Sequence, residues 1–466
     1  MLALAALTLV RFAVAGWMPL SPDEAYYWVW SRALSPGYLD HPPMVAMWIR
    51  AGTALAGQGA FGVRLLAPLS AAAGTLMLAR AAEDLFPGRR AAVPAAALLN
   101  ATLLLGAGSV TMTPDTPLLF FWTGALWALA RLVRTGRAGW WLVAGLMAGG
   151  ALDSKYTAAL LGVGMALWLV ADPVGRGWLR SPWPWAGGAL AVAAFIPVVQ
   201  WNAAHDWASF AKQGGRTGDW HPADALRHTA ELLAGQLGLA TPLVAVLCVG
   251  GIWCAARQCR AGPSPALLTA LTLPGIAVFV QHALGDRVQA NWPAILYPAA
   301  AIAAAVYVPR YWLLAAGSGL ALTAFVYLQA VTGVLPLPRA ADVTLIRLGG
   351  WDGLVAAVAR QPGAFVAADN YGLAGELAHG LAGPVIGVEP RWALFDLPLI
   401  NLSGQSGLLV RSQRRNTPPD PGPWQSIEPA GTLVRSRAGV VAETYDLFRV
   451  VPRGAMVRLP SSRGDR

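Results

Sequence analysis

Charged residues are scarce in this chain, and acidic residues are scarcer than basic ones. Only 12% of its 466 residues are charged, and Asp and Glu together number 24. An ordinary soluble domain carries about 25% charged residues. Together with a hydrophobic content of 56%, this shortage excludes a typical soluble protein and predicts a polytopic α-helical membrane protein.

Lysine and cysteine are also nearly absent. Of the 34 basic residues, only Lys155 and Lys212 are lysines. Many arginines fall in short loops between apolar runs, which is typical of membrane topology and not of nucleic-acid binding. The three cysteines, Cys248, Cys254 and Cys259, lie around one predicted helix, so we expect neither a disulfide framework nor a metal-binding set.

Apolar segments long enough to cross a bilayer dominate residues 1–335. A spanning helix needs about 20 mainly apolar residues. By that criterion we expect about eleven transmembrane helices, near 1–20, 61–82, 91–109, 114–134, 138–153, 156–171, 184–201, 235–256, 265–281, 290–308 and 311–332. The apolar stretch 44–57 is too short and is expected to form a re-entrant or interfacial helix.

The arginines predict the orientation of these spans. Arginines follow every even-numbered span from the second to the tenth, so we assign that face and the N-terminus to the cytoplasm. The polar motifs then share the opposite face: Asp23-Glu24, Asp40-His41-Pro42-Pro43, 113–117, 153–156, 202–206 and 286–292. Ionisable groups that converge on one membrane face indicate a functional site.

From about residue 340 the composition changes to that of a small α/β domain. Residues 364–369 and 384–388 are predicted strands that flank a helix at 371–381, with later strands near 407–411, 432–436 and 444–451. We therefore expect a transmembrane module at 1–335 and a periplasmic α/β domain at 340–466. The second domain shows no catalytic constellation in its sequence.

Residues 21–30 hold two adjacent carboxylates, Asp23 and Glu24, directly after the first apolar segment. Four aromatic residues follow: Tyr26, Tyr27, Trp28 and Trp30. Two explanations of the acids stay open, because acidic residues also suit the first turn of a helix. The aromatic residues are equally typical of an interfacial belt.

Transfer of a sugar from a lipid phosphate would use such residues. A carboxylate takes the proton of the acceptor hydroxyl, and cations stabilise the departing phosphate. The candidate catalytic residues are Asp23, Glu24 and Asp115. The candidate substrate-binding residues are Tyr27, Asp40, His41, Lys155, Tyr156, His205, Arg287 and Asn291.

Structural roles compete with several of these assignments. Helix capping is an alternative for Asp115, an interfacial anchor for Arg287, and a plain loop position for Asp40, His41 and His205. Lys155 is less easily explained by structure alone, because a cation at a helix start opposes the helix dipole.

Taken together, these motifs resemble those of bacterial GT-C glycosyltransferases, in the subgroup related to protein O-mannosyltransferases and to the aminoarabinose transferases that modify lipid A. The matching segments are Asp-Glu-Ala-Tyr-Tyr-Trp at 23–28, Asp-His-Pro-Pro at 40–43, Thr-Pro-Asp-Thr-Pro at 113–117, Ser-Lys-Tyr at 154–156 and Ala-Asn-Trp-Pro at 290–293.

The resemblance implies a GT-C fold and an inverting transfer from a polyprenyl-phosphate sugar in a cavity that faces the periplasm. It implies that Asp23 is the catalytic acid of the first loop, Glu24 its neighbour and Asp115 a second cavity carboxylate. Related aminoarabinose transferases carry Glu-Lys where this chain has Asp40-His41, and some bind a metal through that Glu. We assign no metal, and the cofactor is left open.

The expected function is that of a glycosyltransferase in the bacterial inner membrane. Its partners would be a polyprenyl-phosphate sugar donor, membrane lipids and a periplasmic acceptor, which is lipid A or its core, another glycolipid, a polysaccharide or a protein. No nucleic acid is expected.

Two other hypotheses are a transporter or flippase of lipid-linked sugars and a non-catalytic scaffold whose external domain binds a partner. A transporter usually carries polar groups near the membrane midplane on repeated, broken helices, whereas the polar motifs here share one face. Deletion of 340–466 is expected to abolish a scaffold's function and to spare part of an enzyme's activity.

Overall fold

A computed structural model describes residues 1–218 and 221–462 of the chain. Its α-helices are α1 (Leu2–Trp17), α2 (Pro22–Arg32), α3 (Met44–Ala56), α4 (Ala60–Arg64), α5 (Leu66–Leu85), α6 (Ala92–Asn100), α7 (Leu103–Gly108), α8 (Asp115–Thr135), α9 (Trp140–Leu152), α10 (Ala159–Ala171), α11 (Pro173–Trp178), α12 (Pro182–Ala204), α13 (Ala208–Gly218), α14 (Ala225–Leu239), α15 (Pro242–Arg257), α16 (Pro263–Ala283), α17 (Tyr297–Tyr307), α18 (Trp312–Thr332), α19 (Val343–Leu348), α20 (Trp351–Ala359) and α21 (Tyr371–Gly380). Short 3₁₀ helices occupy Tyr156–Ala158, Pro222–Asp224, Trp292–Leu296, Pro309–Tyr311 and Pro390–Leu394.

Several helices are long and apolar enough to cross a membrane, which confirms the helical membrane class. Within the described ranges there are five: Ala60–Leu85, Asp115–Thr135, Pro182–Ala204, Pro263–Ala283 and Pro309–Thr332. Two bent helix pairs raise the number to seven if each pair is one span. Shorter apolar helices lie at Met44–Ala56, Trp140–Leu152, Tyr156–Ala171 and Trp292–Tyr307. The count of eleven stays a prediction.

Two predicted spans are broken in the structure. The segment predicted as one helix at 235–256 is instead α14 and α15, which meet at 108°. Thr241 between them has a φ of 65°, and Pro242 has no N–H with which to continue a helix. The segment predicted at 91–109 divides into α6 and α7, where Thr102 caps the new helix through the N–H of Leu105 at 3.1 Å. Apolar composition does not reveal either break because both halves of each pair are apolar.

The described chain forms two compact units that interleave in sequence. The first, here called the helical unit, comprises Met1–Thr8, Pro36–Met44 and Ala67–Ala324. The second, the sheet unit, comprises Leu9–Ser35, Val45–Leu66 and Phe325–Arg466. The sheet unit therefore contains the 21–30 segment as well as the C-terminal region. The simpler division into 1–335 and 340–466 stays a proposal.

The helical unit is held together by close contacts between small residues. Helix α9 packs against α8 and α12. A Cβ atom at Gly145 of α9 would lie only 2.1 Å from the carbonyl oxygen of Gly187 on α12. Such approaches are typical of membrane helices, which associate through van der Waals packing of small residues.

The sheet unit contains a seven-stranded sheet. Its strands are β1 (Val366–Ala368), β2 (Val385–Gly387), β3 (Leu399–Asn401), β4 (Gly407–Ser412), β5 (Trp424–Arg437), β6 (Val440–Pro452) and β7 (Ala455–Leu459). Their order is β3-β7-β2-β1-β4-β6-β5. Strand β1 is parallel to β2 and β4, and the other pairs are antiparallel. The predicted α/β class of this region is confirmed, whereas β3, β7, α19 and α20 were not predicted.

Helix α2 packs directly on α21 within the sheet unit. A Cβ atom at Gly375 of α21 would lie 2.8 Å from the backbone nitrogen of Tyr26. A Cβ atom at Gly372 would lie 2.6 Å from the Cβ of Pro22. Only glycine permits this approach, so α21 fixes the position of α2.

One buried arginine fixes the entry of the chain into α2. Helices α1 and α2 meet at 85°. The Arg64 guanidinium donates to the carbonyl oxygens of Ala15 (3.0 Å), Met18 (2.5 Å) and Pro19 (2.7 Å) at this bend. It also donates to both carboxylate oxygens of Glu24, at 2.6 and 2.7 Å.

We expect Gly375→Ala to destabilise the protein by about 1–3 kcal/mol, because the added methyl group would overlap the backbone of α2. Thermal unfolding of the purified protein in detergent measures this loss. Gly353→Ala is the matched control, since Gly353 is also helical but has no atom within 4 Å of a Cβ placed there. Equal stability of the two variants would contradict the packing argument.

We expect Arg64→Met to cost about 3–5 kcal/mol, because it leaves the buried Glu24 carboxylate without its counter-charge. The double variant with Glu24→Gln should recover part of this loss, since it removes the unpaired charge. Denaturant titration of the wild type and both variants provides the comparison. A fully stable single variant would show that this ion pair does not hold the bend.

Candidate active site

The start of α2 is capped by its own residues. Ser21 is the N-cap, and its Oγ accepts from the backbone N–H of Glu24 at 3.4 Å. The Glu24 carboxylate accepts in return from the backbone N–H of Ser21 at 3.0 Å. With Pro22 in the first turn, this is a capping box. The capping explanation of the acidic pair is thus confirmed for Glu24.

Both carboxylate oxygens of Glu24 are occupied by contacts within the fold. Its side chain is fully buried, and both oxygens accept from Arg64. Burial and then the nearby Glu24 charge raise the pKa of Glu376, on α21, well above its ordinary value. Uptake of a proton by Glu376 avoids a second negative charge beside Glu24.

Asp23 has the opposite environment. Its side chain is 38% exposed. The Tyr371 hydroxyl donates to Asp23 Oδ1 at 3.1 Å, and Arg347 Nη1 lies 3.7 Å from Asp23 Oδ2. Adjacent acids in such different surroundings suit different roles. Asp23 is the accessible carboxylate of the pair, and its role as a general base stays a prediction.

Asp23 lies on the wall of a cleft of about 500 Å³ in the sheet unit. This volume is within the usual range for small-molecule sites, about 300–1,000 Å³. The cleft is lined by Pro22, Asp23, Ile346, Arg347, Trp351, Asn370, Tyr371, Gly372, Leu373, Ser412, Arg414, Arg415, Arg435, Glu443 and Tyr445.

The aromatic residues of α2 are packed inside the sheet unit. Tyr26, Trp28 and Trp30 are almost fully buried, and Tyr27 is 8% exposed. The Tyr27 ring meets that of Trp30 edge to face, with centroids 4.9 Å apart. These side chains contribute to the core, which leaves little ring surface of Tyr27 for a sugar. Its predicted substrate contact stays a prediction.

The helical unit gathers a second set of the candidate residues around Asp115. Lys155 Nζ donates to Asp115 Oδ1 at 2.7 Å. Asn291 Nδ2 donates to Asp115 Oδ2 at 2.6 Å. Lys155 and Asp115 are both largely buried. Asp115 begins α8, Lys155 follows α9, and Asn291 precedes a 3₁₀ turn, so three distant segments meet at one carboxylate.

Helix α13 ties the loop at Asp40 into the helical unit. Lys212 Nζ donates to Asp40 Oδ1, and Gln213 Nε2 donates to the Asp40 carbonyl at 2.8 Å. The same loop is joined to the segment before Lys155, because the Met44 N–H donates to the Asp153 carbonyl at 2.9 Å. His41 lies in this loop, where its carbonyl accepts from the Tyr38 N–H at 3.2 Å.

Tyr156 and His205 lie beside α13 as well. The hydroxyl groups of Tyr156 and Ser209 are 2.7 Å apart. The His205 ring stacks on Trp201 with centroids 4.1 Å apart, and its Nδ1 is 2.8 Å from the Trp201 carbonyl oxygen. His205 therefore caps the end of α12, consistent with the structural alternative.

Arg287 forms an ion pair with Glu231 and is largely exposed. Its Nε donates to Glu231 at 2.9 Å, and the Arg287 side chain is 65% exposed. Within the helical unit, four polar motifs are linked by direct hydrogen bonds or adjoining loops: those at 40–43, 113–117, 153–156 and Asn291. Arg287 is instead paired with Glu231. The functional roles of all these residues stay predictions.

Sequence reasoning missed four contributors to these clusters: Tyr371, Arg347, Lys212 and Gln213. Lys212 was not among the candidate residues, although its rarity as one of two lysines was a usable signal. Tyr371 and Arg347 are remote from Asp23 in sequence, and no local pattern identifies them.

The residues present do not fit a metal ion at Asp40. In the described part of the chain no three His, Cys, Asp or Glu side chains come together as a metal-binding group. The Asp40 carboxylate is instead paired with the Lys212 ammonium. No chemical step proposed below uses a metal.

Part of the chain is similar in sequence to known glycosyltransferases. Residues 40–201 match the model of the dolichyl-phosphate-mannose-protein mannosyltransferase family. The lipid A galacturonosyltransferase RgtD of Rhizobium johnstonii is 32% identical over 286 residues, which cover 60% of this chain and 59% of RgtD. The matched region thus spans less than two thirds of that relative.

Two solved structures share the fold along almost the whole chain. The structure of ArnT from Cupriavidus metallidurans bound to undecaprenyl phosphate superimposes with a TM-score of 0.66 at 16% identity, covering 96% of this chain and 97% of ArnT. The apo state of the same protein gives a TM-score of 0.63 at 15% identity with the same coverage. The ArnT-like fold, the sequence similarity to RgtD and the match to the mannosyltransferase model agree with the motif resemblance to GT-C glycosyltransferases.

Proposed function

We propose that this protein is an inverting glycosyltransferase that moves a sugar from a polyprenyl-phosphate carrier to a periplasmic acceptor. The observation that carries the proposal is the environment of Asp23. This carboxylate is accessible on the wall of a cleft and is oriented by the Tyr371 hydroxyl. Its neighbour Glu24 is buried in the fold.

The proposed reaction is a single displacement. The acceptor hydroxyl oxygen attacks the anomeric carbon of the donor sugar while its proton passes to the Asp23 carboxylate. The bond between the anomeric carbon and the phosphate oxygen breaks, and its electron pair leaves with the polyprenyl phosphate. Attack from the opposite face inverts the anomeric configuration. Tyr371 holds Asp23, and Glu24 acts as a positioning residue through Arg64.

The proposed phosphate-binding group is Lys155. Its ammonium is paired with Asp115, and Asn291 holds the other carboxylate oxygen. A donor phosphate offers the ammonium a second anionic partner, and charge-assisted contacts of this kind stabilise a leaving phosphate. Asp115 orients the Lys155 ammonium in this scheme.

The names of the relatives support the substrate classes. RgtD is described as acting on lipid A, and ArnT was solved with undecaprenyl phosphate. We propose lipid A or its core as the first acceptor to test, ahead of other glycolipids, polysaccharides and proteins. We also propose eleven spans in the bacterial inner membrane, with the N-terminus in the cytoplasm and residues 340–466 in the periplasm.

Mass spectrometry of cell-envelope glycolipids tests the function directly. Cells with the protein should contain a glycolipid heavier by one sugar residue than cells without it. A lipid-linked sugar that crosses liposomes with the purified protein, without any glycosyl transfer, would instead identify a transporter.

We expect Asp23→Asn to lower transfer by about 10²-fold or more, because the amide takes no proton from the acceptor. The change conserves side-chain volume, so insertion and thermal stability should match the wild type. Initial rates with purified protein and saturating donor give the comparison. Asp396→Asn, at an exposed position outside the cleft, is the matched control. Wild-type turnover by Asp23→Asn would rule out its role as base.

We expect Lys155→Ala to raise the KM for the donor about tenfold or more, because it removes a charge-assisted contact to phosphate. The KM for the acceptor should stay within twofold of the wild type, and Lys155→Arg should restore part of the donor affinity. Arg180→Ala, an exposed arginine, controls for loss of net charge. Equal changes in the two KM values would indicate a structural role for Lys155.

A further inference from the structure

The cleft beside Asp23 carries an excess of positive charge. Its lining includes four arginines, Arg347, Arg414, Arg415 and Arg435, against two carboxylates, Asp23 and Glu443. This excess is notable because the mechanism proposed above uses only the acid. Nothing in base catalysis by Asp23 requires four arginines in the lining of the same cleft.

Arg435 forms the rigid floor of the cleft. It is 1% exposed and donates to the Tyr445 hydroxyl at 3.1 Å and to the Gly349 carbonyl at 2.6 Å. Its guanidinium carbon lies 4.1 Å from the centroid of the Trp351 ring. The guanidinium group of Arg435 is thus occupied by contacts within the fold, and it holds Tyr445, Gly349 and Trp351 in place.

The arginines on the walls of the cleft are more exposed than Arg435 and make fewer short contacts. Arg347 is 60% exposed, with Asp23 at 3.7 Å. Arg415 reaches Asp369 and Glu389 only at 3.6 Å. Arg414 is exposed, and within the described chain no carboxylate pairs with its guanidinium. The ion pairs of Arg347 and Arg415 are long, so an anion that enters the cleft can compete with these carboxylates for the guanidinium groups.

The remaining lining suits a sugar. Trp351 and Tyr371 contribute aromatic surface, and Asn370 and Ser412 contribute polar groups. Ligand sites typically combine aromatic walls with a few polar groups that set orientation. The cleft therefore offers surface for a saccharide as well as charge for an anion.

We propose that this cleft is the acceptor site and that it selects an anionic saccharide, whose phosphate or carboxylate is bound by Arg414, Arg415 and Arg347. Guanidinium groups match both oxyanions through paired hydrogen bonds. The identification as an acceptor site depends on the glycosyltransferase function proposed above. Anchoring of the anion places a saccharide hydroxyl on the wall that carries Asp23.

Acceptor binding without donor tests this inference. The full-length protein in detergent is titrated with a phosphorylated glucosamine disaccharide, its dephosphorylated form and an uronic-acid disaccharide. We expect at least one anionic probe to bind about tenfold or more tightly than the neutral one, since hydrogen bonds to charged groups are the stronger class. The better of the two anionic probes identifies phosphate or carboxylate as the recognised group.

The double variant Arg414→Gln/Arg415→Gln should weaken the anionic probe by about tenfold or more, while the neutral probe is unchanged. Arg360→Gln, an exposed arginine of the same unit outside the cleft, should bind as the wild type does. Equal affinities for neutral and anionic probes, or equal losses in both variants, would overturn the inference.

The two proposals fail separately. Arginine-dependent anion binding by a protein that transfers no sugar would refute the glycosyltransferase function and leave the anion site in place. Active transfer with acceptor affinity unchanged in the double variant would refute the anion site alone.

Discussion

The sheet unit depends on the burial of one guanidinium group. Arg64 is fully buried, and an unpaired charge at such a position costs several kcal/mol. Here it is offset by three backbone carbonyls at the bend between α1 and α2 and by both oxygens of Glu24. A planar group with donors in fixed directions admits only one arrangement of these acceptors. The bend, the first turn of α2 and the direction of Asp23 are therefore set together by a single side chain.

This constraint explains how two adjacent acids acquire different surroundings. Successive residues of a helix point about 100° apart, so an inward Glu24 leaves Asp23 turned away from Arg64. Glu24 is paired with the buried Arg64. Asp23 accepts a hydrogen bond from the Tyr371 hydroxyl and lies 3.7 Å from the exposed Arg347. The sequence leaves open whether the acidic pair serves capping or catalysis. The structure shows that the two acids must be considered separately. Glu24 satisfies the structural explanation, and Asp23 is the carboxylate that we propose as the base.

Local patterns predicted much of the helical unit and few of the residues that surround Asp23. Apolar runs located most helices, because hydrophobic length is a local property. The break at Thr241 was missed because it depends on one backbone angle between two apolar segments. The grouping of Asp115 with Lys155 and Asn291 followed from a count of spans, which places motifs on a face without any knowledge of contacts. Tyr371 escaped prediction because its proximity to Asp23 arises from the packing of α2 on α21, through glycines whose role is visible only in three dimensions. Arg347 escaped prediction because it lies on α19, far from Asp23 in sequence.

That packing changes the meaning of the C-terminal region. A deletion of 340–466 appeared able to separate an enzyme from a scaffold, on the assumption that the catalytic acids belong to the membrane helices alone. However, Asp23 receives its hydrogen bond from Tyr371, and its helix rests on Gly372 and Gly375. Removal of this region would take away the partner and the support of the proposed base. The enzyme hypothesis therefore also predicts complete loss of activity after such a deletion. Only point substitutions inside the cleft distinguish an enzyme from a non-catalytic scaffold.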